Sequence, residues 1–276
     1  MFQDIQPRVF HNEYKINTVP IDDDFVIIFS EGKAILKNER EIPTVTDVEN
    51  NFQMKRANLT YLFAINQRQF YLSVAKVVEQ PNYHYENIRV FSTLSPEWLG
   101  FAGATACQLG LWYETHQYCG FYGHEMEHSQ NERALDCPNC GRRIYPKISP
   151  AIIVGIINDD KILMTKYLSG YNRYALVAGF NEIGETLEDT VRREIHEEVG
   201  LSVHDIQYYD SQPWAFSSSL LVGFFAKLDK AIPITLELDE LSEAKWFKRE
   251  DIPNDDNGLR LTWNMIEAFR DNQVNF

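Results

Sequence analysis

The chain has 276 residues, 44% of them hydrophobic, and a formal net charge of −14. That length suits about two domains, and the apolar content is that of an ordinary water-soluble protein with a real core. The acidic balance excludes a protein whose affinity rests on general attraction to a nucleic-acid backbone, although a nucleotide can still be held through metal.

No stretch approaches the roughly 20 apolar residues of a membrane span. The opening MFQDIQPRVFHNEYK has no positive run followed by an apolar one, so the expected setting is cytoplasmic, with no membrane partner. Four cysteines do not make a disulfide scaffold in a chain of this length, and three of them clustered point to metal instead.

Residues 1–94 are expected to form a β-rich domain. Phe25 to Phe29 is a buried-strand run that can pair with Lys33 to Lys37 across Glu31-Gly32. A second hairpin is expected from Leu59–Phe63 through Asn66-Gln67-Arg68 into Phe70–Val74. No catalytic constellation stands here, and the expected roles are packing and dimer formation.

Residues 95–147 form a helix plus a zinc-ribbon-like segment. Ser95 is the expected cap and Pro96 the first helical residue, with Trp98, Leu99, Ala102, Ala106, Leu109 and Trp112 at helical spacing. Cys107, inside that helix, reads as a small core residue. Cys137 and Cys140 form a CPxCG knuckle that suits Zn²⁺ with Cys119. Tyr122 stands where a second CxxC needs its other cysteine. His124, His116 or His128 is then the available fourth ligand; the alternative is a ribbon that has lost its metal and is held by packing.

Residues 148–276 begin with a buried strand, Ala151–Ile157, turned at Asn158-Asp159-Asp160 and returned by Lys161–Lys166. A strand Tyr174–Ala178 leads into GFNEIGETLEDTVRREIHEEVGL. There Leu187, Val191, Ile195 and Val199 predict a helix from about Leu187 to Val199, opened by Thr186 with Asp189 and ended by Gly200. On it Glu194, Glu197 and Glu198 crowd one face, and a divalent cation such as Mg²⁺ or Mn²⁺ would remove their repulsion. The alternative is a solvated acidic face. Arg193 and Glu185 are placed to pair. Further strands are expected at Tyr208–Phe216, Leu220–Leu228 and Ala244–Lys248, and a closing helix at Leu259–Phe269, giving a mixed sheet flanked by helices.

Gly179, Glu185 and Arg193-Glu194-Ile195-x-Glu197-Glu198-x-Gly200-Leu201 together resemble the signature of the Nudix hydrolases. The resemblance implies an α+β chain whose last domain is an α/β/α sandwich hydrolysing nucleoside diphosphates linked to another group. Downstream, Ser211-Gln212-Pro213-Trp214-Ala215-Phe216-Ser217-Ser218-Ser219 resembles the SQPWPFPxS motif of NADH pyrophosphatases, with Ala215 and Ser217 in place of prolines. His116-x-x-Cys119-Gly120, Gly123-His124, Glu132, Cys137-x-x-Cys140 and Tyr145-Pro146 also fall where that family has similar residues.

The resemblance implies metal ligands at Glu194, Glu198, Glu240 and the Ala178 carbonyl, with Glu197 beside them on the catalytic face. It implies substrate contacts from Glu132, Tyr145 and the loop residues Ser211, Gln212, Pro213, Trp214, Phe216 and Ser219. The implied reaction splits NADH or NAD⁺ into AMP and nicotinamide mononucleotide in a homodimer, and some members remove NAD caps from RNA 5′ ends. Glu198 is open to two roles, metal ligand and general base. The competing readings are a broader pyrophosphatase acting on ADP-ribose or diadenosine compounds, and a non-catalytic nucleotide sensor.

Overall fold

The computed structural model describes residues 1–170, 173–253 and 260–274. They fall into two compact units, one of residues 3–147 with 215–218, the other of residues 1–2, 148–214 and 219–276 so far as described.

The first unit is built on a six-stranded sheet. Its strands are β1 (Phe10–His11), β2 (Phe25–Ser30), β3 (Lys33–Lys37), β4 (Thr60–Ile65), β5 (Arg68–Ser73) and β6 (Tyr83–Asn87), in the order β1-β4-β5-β2-β3-β6. Both expected hairpins form, β2 with β3 and β4 with β5. Strand β2 alternates faces as a strand must. Val26 and Ile28 pack with Val45 and Val48 of helix α1 (Val45–Phe52), and Phe25 meets Trp98 of helix α2 (Glu97–Thr115). Asp47 closes a capping box with Thr44 at the start of α1.

Helix α2 departs from expectation at its start. Pro96, not Ser95, is the N-cap, and no side chain caps the helix. The expected boundary at residue 95 also separates elements that pack together. Phe101 meets Phe10, and Gly110 lies so close to Phe29 that a Cβ there would be 2.8 Å from its ring. The ribbon follows as the three-stranded sheet β7 (Glu127–His128), β8 (Leu135–Asp136) and β9 (Arg143–Ile144).

The second unit is a mixed sheet between two helices. Strand β10 (Ser149–Asn158) runs parallel to β14 (Ser219–Leu228) and antiparallel to β11 (Lys161–Tyr167) and β12 (Val177–Phe180). Strand β13 (Val203–Trp214) forms one edge beside β14, and β15 (Leu241–Lys248) the other beside β11. Ile152, Val154 and Ile156 of β10 face Val191, Ile195 and Val199 of helix α3 (Leu187–Val199). Ile153 and Ile157 face Met265, Ile266 and Phe269 of helix α4 (Leu261–Arg270). One strand's period of two thus makes the α/β/α layering.

Several bounds move from expectation. The strand expected from Tyr174 starts at Val177, because Ala175 makes only an isolated bridge to Thr165. Strand β13 begins five residues before the expected Tyr208 and stops at Trp214, so Phe216 lies in a 3₁₀ turn. Residue 259, the expected start of the closing helix, lies outside the described residues. No helix among the described residues is long and apolar enough to cross a membrane.

Candidate active site

Helix α3 is held at both ends as its sequence requires. Thr186 accepts the Asp189 N–H at 3.1 Å, and Gly200 closes the helix at φ +68°. At about 100° per residue, Glu198 lies only about 20° round the helix from Val191, Glu194 about 60° and Glu197 about 120°. Exposure follows that order, with Glu198 only 2% exposed and the side chains of Glu194 and Glu197 13% and 49% exposed. The alternative of a solvated acidic face is therefore corrected for Glu198, which sits on the core stripe.

Neither carboxylate oxygen of Glu198 has a hydrogen-bond partner of normal geometry. Burial, then the charges of Glu194 and Glu240, push its pKa up to about 8, partly offset by the Ala178 backbone N–H. Glu194 is also raised, first by burial, against the pull of Arg193. An unpartnered, buried carboxylate beside two more acids is costly in a protein interior unless a cation balances it. Carboxylate oxygens are the donors that Mg²⁺ or Mn²⁺ takes, but among the described residues no three carboxylates bring their oxygens within 4.8 Å of one another as the cysteine sulfurs do.

Arg193 organises the rim. Its Nε and Nη2 donate to the two Glu185 oxygens at 2.7 and 3.0 Å, and Nη1 donates to Glu194 at 2.7 Å and Glu197 at 2.9 Å. Nη2 also donates to the Phe180 carbonyl at 3.0 Å, which ties the loop to β12. The guanidinium holds the Glu185 carboxyl down at about 2. Gly179 leaves room for Glu194, since a Cβ there would lie 1.9 Å from the Glu194 Cδ. Glu237 was not singled out in the sequence. Its N–H donates to the Glu198 carbonyl at 3.0 Å and its charge raises Glu198, the only sequence sign being its place in an acidic run.

Across the sheet lies a cavity of about 190 Å³ whose walls include Ala178, Tyr174, Gln212, Trp214, Arg260 and Trp263. Ala178 thus lines the cavity while its neighbour Gly179 backs the acidic cluster. Gln212 is fully buried, and its Oε1 accepts the Leu261 N–H at 2.6 Å, fastening β13 to the start of α4. Trp214 has Phe2 edge-on at 6.2 Å and the Arg260 guanidinium 5.7 Å from its ring. Ser219 is buried opposite Trp214, while Pro213 is exposed and Ser211 half-buried. Phe216 belongs to the other compact unit, with α2.

Glu132 and Tyr145 also lie in that unit. The Tyr145 hydroxyl donates to Glu132 at 3.2 Å, and Arg143 pairs with the same carboxylate. In the ribbon the sulfurs of Cys119, Cys137 and Cys140 all lie within 4.8 Å of one another. Backbone N–H groups of Phe121 and Tyr122 donate to the Cys119 sulfur and lower its thiol to about 7. Cys107 is buried apart from this cluster, and burial pushes its thiol up.

None of the candidate histidines joins the three sulfurs. His124 turns its carbonyl to the first arm of the ribbon, accepting the Cys119 N–H at 2.7 Å. His116 Nδ1 lies 2.9 Å from the Trp112 carbonyl, and His128 stacks on Tyr113.

Residues 147–269 match the model of the NUDIX domain, and residues 114–145 that of the NADH pyrophosphatase zinc ribbon domain. Over 147 residues the chain is 44% identical to the NAD-capped RNA hydrolase NudC of Escherichia coli O9:H4 (strain HS), covering 53% of this chain and 57% of that protein. The same figures hold for the protein of that name from Shigella boydii serotype 18 (strain CDC 3083-94 / BS512). The chain therefore spans a little over half the length of the curated relatives it matches. A NUDIX hydrolase structure from Nitrosomonas europaea aligns with a TM-score of 0.49 at 22% identity, over 57% of this chain and 92% of that one.

Proposed function

We propose that this chain, which carries a NUDIX domain behind an NADH pyrophosphatase zinc ribbon, is a metal-dependent diphosphatase that hydrolyses NADH or NAD⁺ to nicotinamide mononucleotide and AMP. The observation that carries this reading is Glu198, a buried carboxylate neither of whose oxygens has a hydrogen-bond partner of normal geometry, within reach of the charges of Glu194 and Glu240. Glu194, Glu198, Glu240 and the Ala178 carbonyl would hold Mg²⁺ or Mn²⁺, with Glu197 at the rim. The cation supplies charge neutralisation at the pyrophosphate.

In the reaction, water attacks one phosphorus of the P–O–P bridge and loses a proton, and the bridging oxygen leaves with the other phosphate. A Glu198 oxygen serves either as cation ligand or as acceptor of that proton. Arg193 keeps Glu185, Glu194 and Glu197 in place. The cavity beside Ala178, with the Trp214 ring and the Gln212 side chain in its wall, supports a planar base at one end of the substrate. We assign Glu132 and Tyr145 to substrate contact as well.

The same bond occurs in an NAD cap, so RNA 5′ ends are a second substrate, and the working form is a homodimer. We divide the working protein into 1–94, 95–147 and 148–276. Four free cysteines support a cytoplasmic setting. A broader pyrophosphatase is favoured by one feature: Ala215 and Ser217 stand where prolines would stiffen the loop.

Incubation with NADH and Mn²⁺, read by chromatography of AMP and nicotinamide mononucleotide, beside ADP-ribose, tests the reading. Trp214→Ala should lower kcat/KM several-fold more for NADH than for ADP-ribose, the size expected of one stacking contact. Equal losses would remove Trp214 as the nicotinamide selector. ADP-ribose turnover without NADH turnover would leave the broader reading.

A further inference from the structure

The ribbon is one ligand short. Tetrahedral zinc–thiolate bonds of about 2.3 Å place sulfurs about 3.8 Å apart, and Cys119 Sγ lies 3.8 Å from Cys140 Sγ. Three sulfurs therefore stand ready for one ion. Position 122 is where the CxxC spacing of the first arm would bring a fourth sulfur, and it holds a tyrosine whose residue is 57% exposed. Among the described residues no histidine, aspartate or glutamate joins the three cysteines, and Cys140 is itself exposed, so the cluster has a solvent side.

We infer that the ribbon binds zinc on Cys119, Cys137 and Cys140 alone and leaves a fourth coordination position that a small external thiol occupies. This rests on the ribbon being a zinc site at all. Structural zinc is normally closed by four protein ligands, whereas three protein ligands with an exchangeable fourth position mark an open site. A soft three-sulfur set selects a fourth sulfur over oxygen. In the exchange the external thiol gives its proton to solvent and its thiolate replaces solvent on the ion. Nothing is oxidised or reduced. The ribbon so built is a place where the thiol content of the surroundings acts on the protein.

The experiment uses the full chain with Co²⁺ in place of Zn²⁺, its thiolate charge-transfer bands being the readout, and 2-mercaptoethanol as probe. The wild-type bands should change on titration with the probe. Tyr122→Cys should show bands about one third more intense than those of wild type without added thiol, four thiolates replacing three, and should not respond to the probe. His124→Ala should behave as wild type. With a chromogenic chelator, zinc should leave the wild type roughly 10-fold or more faster than it leaves Tyr122→Cys. A wild-type spectrum indifferent to the probe, or one altered by His124→Ala, would mean that the protein closes the site itself and would overturn the inference. Absence of any Co²⁺ or Zn²⁺ uptake would overturn it too, and would remove the zinc reading with it.

Discussion

The Glu198 carboxylate lies buried on the core stripe of α3, where the charges of Glu194 and Glu240 act on it. Its burial follows from standing seven residues after Val191, nearly two full helical turns. What sequence hides is the company: Glu237 and Glu240 come from a distant loop, and their charges raise Glu198. Because burial already favours the protonated acid, Glu198→Gln should leave the melting temperature without divalent cation within a few degrees of wild type. Mn²⁺ at about 100-fold its Kd should stabilise the wild type by about 2.7 kcal/mol, and the variant by much less. Equal stabilisation of both, read by thermal melts, would place the cation elsewhere. Asp47, in the other unit, carries the pH prediction. Burial opposes its ionisation, but the Thr44 N–H, Tyr83 hydroxyl and Lys37 ammonium outweigh it and lower the carboxyl from 3.8 to about 2. Its contribution is complete above pH 3.8 and is lost as pH falls through about 2. Asp47→Asn should cost roughly 1 kcal/mol at neutral pH and flatten the acid limb of the melting curve between those values; an unchanged acid limb would contradict this.

At the scale of elements, legibility tracks periodicity. Helix α3 has an unbroken 3.6 period with a cap at each end, and its observed bounds are the expected ones. Strand β13 was read short because it lies at a sheet edge, carries polar residues on both sides at His204 and Asp205, and shifts register between His204 and Gln207. Such a bulge breaks the alternation on which strand reading depends. The missing cap of α2 has a similar lesson, since its N-terminus is fixed by packing of Phe101 and Trp98 and not by a side-chain hydrogen bond. The close pairing of β12 with α3 yields a test. Gly179→Ala puts a methyl where the Glu194 carboxylate now lies. That carboxylate is the free end of its side chain and can swing aside, so the stability cost should be about 1 kcal/mol. Turnover should nevertheless fall by about 10²-fold, as expected when a site group is displaced by about an ångström. Kinetics within twofold of wild type would mean that the Glu194 position is not used.

For the whole molecule, the second unit was legible because each layer writes its own signal: β10 alternates toward α3 and α4, and α3 carries its acidic residues on one side of the sheet. The ribbon was legible through Cys119, Cys137 and Cys140, but the absence of a fourth protein ligand among the described residues was not, since His124 presents its carbonyl to the Cys119 N–H and not its ring to the sulfurs. The first unit was legible as hairpins, while the packing of α2 on them was not, because the contacts of Phe10 with Phe101 and of Phe25 with Trp98 join residues far apart in sequence. In the proposed function Glu194 and Glu198 of α3, with Glu240, serve the hydrolysis of a dinucleotide pyrophosphate with a divalent cation. The most direct measurement is NADH turnover in Mn²⁺ by wild type and Glu198→Gln side by side, with chelator controls. The wild type should give AMP and nicotinamide mononucleotide, and none with chelator, while the variant should run at least about 10²-fold slower. Near-wild-type turnover by Glu198→Gln, or turnover that survives the chelator, would contradict the proposed function.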